Sequence, residues 1–140
     1  MKRLVFGAAA GLSVMLVLST AYAAWIRERG RPHVYYVGAG FYCHVISEEQ
    51  LASYGLHWTQ TDELSPSEYQ QLVAGLRFNG SCKWANGCYR KSDERAVYRV
   101  SESSACWVTS EAELPRQCPG GVRTITSSVR DLHAYTGACQ

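Results

Sequence analysis

Four histidines, His33, His44, His57 and His133, are the first residues to weigh for chemistry. His44 follows Cys43 directly, which suggests a thiol and its base. Both lie in a run that reads as a β-strand, where successive side chains point to opposite faces, so the two cannot meet as nucleophile and base. His57 with Glu63, or His133 with Asp131, offers an acid and a base, but the spacing supplies no third group to orient either pair. Neither G-x-S-x-G nor H-E-x-x-H occurs. Glu48, Glu49, Glu111 and Glu113 are of the type that sugar hydrolysis uses as paired carboxylates. They sit where helices are expected to begin, and acids there complement the helix dipole. No catalytic residue is assigned, and no cofactor is expected.

The six cysteines, Cys43, Cys82, Cys88, Cys106, Cys118 and Cys139, form no C-x-x-C and no Cys/His spacing suited to zinc, so no metal site is expected. Their meaning depends on the N-terminus. Lys2 and Arg3 precede an uncharged apolar stretch from Leu4 to Leu18, and Ala21-Tyr22-Ala23 has the small-x-small form that signal peptidase cuts. Residues 1–23 therefore read as a signal peptide and residues 24–140 as the mature exported domain. The alternative is an uncleaved anchor, since the uncharged run to Ala24 is long enough to span a bilayer and Arg27, Arg29 and Arg31 follow it. Membrane attachment is expected only in that case. Either way the domain lies outside the cytoplasm, secreted or periplasmic, and an even cysteine count there reads as three disulfides. The net charge of +2 resides in Lys2 and Arg3, which leaves the mature part formally neutral and removes the usual basis for nucleic-acid binding.

The elements that must position these residues occur twice. Residues 34–51 set over 97–114 give eight identities in eighteen: Val34, Tyr35, Val37, Cys43, Val45, Ser47, Glu48 and Leu51 recur as Val97, Tyr98, Val100, Cys106, Val108, Ser110, Glu111 and Leu114. Ordinary composition would give about one. Each copy reads as a β-hairpin that runs into a helix capped by Ser47 or Ser110. Gly55 should end the first helix, and Pro115 should cut the second short. At the same offset, Ser65 with Glu68 and Ser128 with Asp131 start a further helix. The expected fold is α+β: a small disulfide-stapled domain of two related β-hairpin–helix units, 33–77 and 96–138, with a turn-rich insertion at 78–95. The repeat suggests local clasps Cys106–Cys118 and Cys82–Cys88, with Cys43–Cys139 joining the end of the chain to the first hairpin.

The segments "VYYVGAGFYCHVISEEQLASYG" and "VYRVSESSACWVTSEAEL" resemble a short hairpin-helix repeat of bacterial and phage exported or surface proteins. The resemblance implies a surface or adhesion-type module and carries over no catalytic residue. Within the repeat, odd positions 35, 37, 43 and 45 are kept while Tyr36, Tyr42 and His44 become Arg99, Ala105 and Trp107. The kept set is expected to face a core, and the divergent set either faces solvent or is covered by the helices or by the other copy, since tyrosines also pack readily in cores. Tyr36, Tyr42, His44, Arg99, Trp107 and, in the insertion, Trp84 are the candidate binding residues, since exposed aromatics anchor interfaces. The expected function is an exported non-enzymatic binding module for a protein or cell-envelope polymer, in one version an inhibitor or immunity protein against a secreted hydrolase. The alternatives are a small envelope hydrolase with a His/carboxylate site and a structural component of a surface assembly.

Overall fold

The computed structural model describes residues 23–140, so the proposed leader lies outside the described residues. The chain forms two compact units, residues 23–46 with 57–82, and residues 47–56 with 83–140. Each holds one five-stranded sheet, and the fold is mixed α and β with few helices.

In unit one, β1 (Ala24–Glu28), β2 (Val34–Gly38) and β3 (Phe41–Val45) form an antiparallel meander. Two short strands close its edges in parallel: β4 (Asp62–Leu64) beside β1, and β5 (Arg77–Ser81) beside β3. In unit two, β6 (Gly87–Lys91), β7 (Val97–Ser101) and β8 (Ser104–Val108) form the meander, with β9 (Val122–Ile125) parallel to β6 and β10 (Ala134–Ala138) parallel to β8. Strand order and sense are the same in both sheets. So is the register: Ile26 opposes Tyr35 as Tyr89 opposes Tyr98, and Val34 opposes Val45 as Val97 opposes Val108. Residues 78–95, expected as a turn-rich insertion, carry β5 and β6 at their two ends.

The helix starts read from sequence divide by copy. Ser47 caps α1 (Glu48–Ser53), its Oγ accepting from the Gln50 N–H at 3.1 Å. Gly55, at φ 79°, ends α1 by turning the Gly55 and Leu56 N–H groups onto Ala52 and Leu51. Ser65 and Glu68 form a reciprocal capping box on α2 (Pro66–Val73), with Pro66 supplying the pre-set φ of the first turn. The later serines do not cap. Ser110 makes no capping bond to the 3-10 turn Glu111–Glu113, and a separate short α3 (Leu114–Gln117) begins there. Pro115 has no N–H to offer the preceding turn, so one continuous helix cannot run through it. Ser128 starts no α-helix either; a 3-10 turn, Arg130–Leu132, stands in its place.

All six cysteines are bonded, but the expected pairing is corrected: the bridges are Cys43–Cys82, Cys88–Cys118 and Cys106–Cys139. Cys82 and Cys88 are close in sequence yet belong to different units, so no local clasp forms. Cys43 and Cys106 instead pair with the residue just beyond the adjacent parallel edge strand. There the Cys82 N–H donates to His44 and the Cys139 N–H to Trp107.

Unit one packs Ala24, Ile26 and Val37 against Tyr35, Tyr42, Leu64 and the α2 face of Tyr69 and Leu72. Unit two gathers Cys88, Val97, Val108 and Cys118 with Leu114 and Val122.

Candidate functional site

The face assignment read from the repeat is corrected by the hairpin register. β2 and β3 are joined by a two-residue turn, with Gly38 opposite Phe41 and Gly40 at φ 78°. A two-residue loop sets odd positions opposite even ones. Tyr35 and Val37 therefore share a face with His44 and Tyr42, while Tyr36 lies on the other face opposite Cys43. The kept and divergent residues do not sort into core and solvent sides.

In unit one the structure brings Tyr42 and His44 together on the α2-covered face. The Tyr35 ring centroid stands 5.8 Å from Tyr42, 5.4 Å from His44 and 5.6 Å from Tyr69, and Tyr42 is 5.0 Å from the exposed Phe78. His33 lies 5.1 Å from His44. Burial, then the neighbouring His33, lowers the pKa of His44. Burial, then a hydrogen bond with Tyr35, raises that of Tyr69, so each shift favours the uncharged form of its own side chain. Tyr36 packs on Trp25 at 4.6 Å, apart from this group.

Trp84 is not the exposed anchor expected of it. It is only 1% exposed, stacked edge-on against Tyr89 at 5.2 Å, with its backbone N–H held by His133. Asn86-Gly87 beside it has the composition of a surface turn, but Gly87 opens β6 and Trp84 lies in the interior just before that strand. Arg99 is half-buried and donates to Gln117 Oε1, whose amide in turn donates to the Gln140 carbonyl at 2.8 Å. Trp107 alone of the candidates is strongly exposed, at 41%.

Trp107 has company that the fixed repeat offset missed. It opposes Tyr98 across β7–β8. Tyr98 stands 6.2 Å from Tyr135 on β10, which is also 41% exposed and covered on one side by the Arg130 guanidinium at 4.0 Å. Tyr35, His44 and Phe78 hold the matching places in unit one. The sequence signal for Tyr135 is "YTGAC" at 135–139 against "FNGSC" at 78–82: aromatic, any residue, glycine, small residue, cysteine. Gly80 (φ 74°) and Gly137 (φ 88°) each let the edge strand bulge against its neighbour, three residues set against two. The spacing between these two segments is six residues shorter than the hairpin offset, because the second copy has a 3-10 turn where the first has α2.

Two open hollows lie in unit two. One of about 540 Å³ is walled by Arg90, Arg95, Trp107, Ser110 and Glu111 over Val97, Val108 and Leu114. The other, of about 810 Å³, is lined by Arg99, Arg123, Gln117 and the Gly120-Gly121 turn. Neither is lined by a histidine. Among the described residues, no group of three or more His, Cys, Asp or Glu side chains is placed to hold a metal ion, and no helix is long and apolar enough to cross a membrane.

No protein-family model, curated protein or solved structure matches the chain.

Proposed function

We propose that the protein is an exported binding module that holds a cell-envelope polymer on the aromatic face of its second sheet. The observation that carries this is the row Tyr98, Trp107 and Tyr135, with Arg130 against Tyr135, on one face of β7, β8 and β10. Large rings held by a disulfide-linked sheet lose little freedom on binding, and their faces stack on sugar or peptide groups at low entropic cost. Three disulfides fit an oxidising compartment outside the cytoplasm.

The matching registers, glycine bulges and Cys43–Cys82 and Cys106–Cys139 bridges support descent of both sheets from one duplicated unit. In the first copy α2 packs on the shared face through Tyr69 and Leu72. In the second, the short 3-10 turn Arg130–Leu132 takes its place, and the rings beneath are open to a ligand. The hydrolase alternative pairs a histidine with a carboxylate, and no histidine lines either hollow.

The test is co-sedimentation of the disulfide-bonded protein with isolated bacterial envelopes. The parent should pellet without releasing soluble fragments, and a Trp107→Ala, Tyr135→Ala double variant should stay in solution with an unchanged melting temperature. Equal pelleting of the two would overturn the assignment of the face. Release of fragments by the parent would favour the hydrolase.

A further inference from the structure

Arg27 on β1 and Arg90 on β6 occupy matching positions. Each opposes a valine across the antiparallel pair, Val34 or Val97. Each also opposes a residue of the parallel edge strand, Glu63 or Thr124. In unit one the guanidinium has three partners. Arg27 Nη1 lies 3.6 Å from Glu63 Oε1, its Nε donates to Thr61 Oγ1 at 3.1 Å, and its plane stands 5.1 Å from the Trp58 ring centroid. A carboxylate, a hydroxyl and a ring face together hold it.

In unit two those partners are gone. Thr124 stands where Glu63 stands. Among the described residues Arg90 makes no ion pair, and its Nε is buried with no acceptor. A partly buried guanidinium without a counter-ion is unfavourable unless something else supplies the charge. Around Arg90, on the Val97–Val108 side of the sheet, is the 540 Å³ hollow, which adds Arg95 and Ser110, whose hydroxyl does not cap the turn that follows it.

We infer that this hollow is a binding site for a carboxylated sugar residue. With Nε closed off, the terminal Nη groups of Arg90 take the carboxylate, and Arg95 adds a second positive charge. Ser110 bonds a ring hydroxyl, and Val97, Val108 and Leu114 floor the site. The ligand's carboxylate thus does for Arg90 what that of Glu63 does for Arg27. Glu94 and Glu111 line the same hollow. They accept hydrogen bonds from sugar hydroxyls, which acidic side chains do not offer, and this favours a carboxylated glycan over an acidic peptide. The site lies on the sheet face opposite the Tyr98–Trp107 row and goes beyond the recognition surface read there.

Calorimetric titration of the disulfide-bonded protein with tetragalacturonate, its full methyl ester and N-acetylmuramic acid tests it. At least one of the two carboxylated sugars should bind. The ester should bind about 10-fold or more weakly than tetragalacturonate, the scale of a charge-assisted hydrogen bond. Arg90→Met should weaken binding by a similar factor. Thr124→Glu, which gives Arg90 the internal carboxylate that Arg27 already has, should also weaken it, without lowering the melting temperature. Failure of both sugars to bind, equal binding of acid and ester, or indifference to both variants would overturn the site. An Arg90-dependent affinity for a glutamate-rich peptide, with none for the sugars, would overturn the sugar assignment. Envelope co-sedimentation separates the two readings. Pelleting that depends on Trp107 while the sugars fail removes only the carboxylate site; sugar binding without pelleting removes the envelope reading and leaves the site.

Discussion

Lowering the pH from 7.5 to 5.0 should destabilise the second unit through His133. That ring is 6% exposed and bonded at both nitrogens. Nδ1–H donates to the Val129 carbonyl at 2.7 Å, and Nε2 accepts from the Trp84 N–H at 3.2 Å. Only the neutral ring can do both. Protonation of Nε2 would set one N–H against another and leave the buried Trp84 amide without an acceptor, a cost of about 1–3 kcal/mol. Burial first, and then the charge of Lys83, lowers the pKa of His133 below its ordinary value of 6.5. The unfolded chain therefore takes up the proton before the folded one. The contribution to stability is complete above pH 6.5 and is lost as the pH falls below it. The loss by pH 5 has a ceiling of about 2 kcal/mol, since pH 5 lies 1.5 units below 6.5 and each unit is worth about 1.4 kcal/mol. The assay is urea unfolding of the oxidised protein followed by tryptophan fluorescence, in the parent and in His133→Gln, which keeps an acceptor for Trp84 and does not titrate. The parent should lose more stability than the variant over this range. The same pH slope in both would refute the assignment.

Three further outcomes follow from the same structure. Replacing Cys43 and Cys82 by alanine should cost roughly 2–4 kcal/mol by loop-closure entropy over a separation of 39 residues; tryptic mapping without reduction should recover the three bridges given above. Ser47→Ala and Ser65→Ala should each cost about 1 kcal/mol in chemical unfolding, whereas Ser110→Ala, which loses no cap, should cost no more than a few tenths. Trp84→Ala should cost about 3–5 kcal/mol as a buried ring, while Trp107→Ala should leave the melting temperature nearly unchanged; similar losses in both would mean that Trp107 also holds the fold.

Local signals in this chain are readable and non-local ones are not. The β2–β3 hairpin, the Ser47 cap, the Gly55 stop and the Ser65–Glu68 box each depend on residues within a few positions of one another. Strands β4, β5, β9 and β10 are short, lie at sheet edges and pair in parallel with partners far away in sequence, so they carry little hydrophobic alternation of their own. Without them the disulfide partners stay hidden, since Cys82 and Cys139 follow two of those strands. The face assignment fails for a different reason. Identity between copies marks no single side of the hairpin, because a two-residue turn exchanges odd and even positions between its strands. Trp107 is legible as a divergent aromatic. Tyr135 is not, because the six-residue contraction breaks the offset that identifies the repeat. Arg90 stands out only beside the partners of Arg27.

The indole N–H resonances test the recognition face most directly. The protein has four tryptophans, Trp25, Trp58, Trp84 and Trp107. On titrating the labelled, oxidised protein with solubilised envelope polymer, the Trp107 indole signal should shift in a saturable way, accompanied by the backbone amides of Tyr98 and Tyr135, while that of the buried Trp84 stays in place. Shifts centred on Trp58, or a saturable response that leaves Trp107 and Tyr135 unmoved, would contradict it.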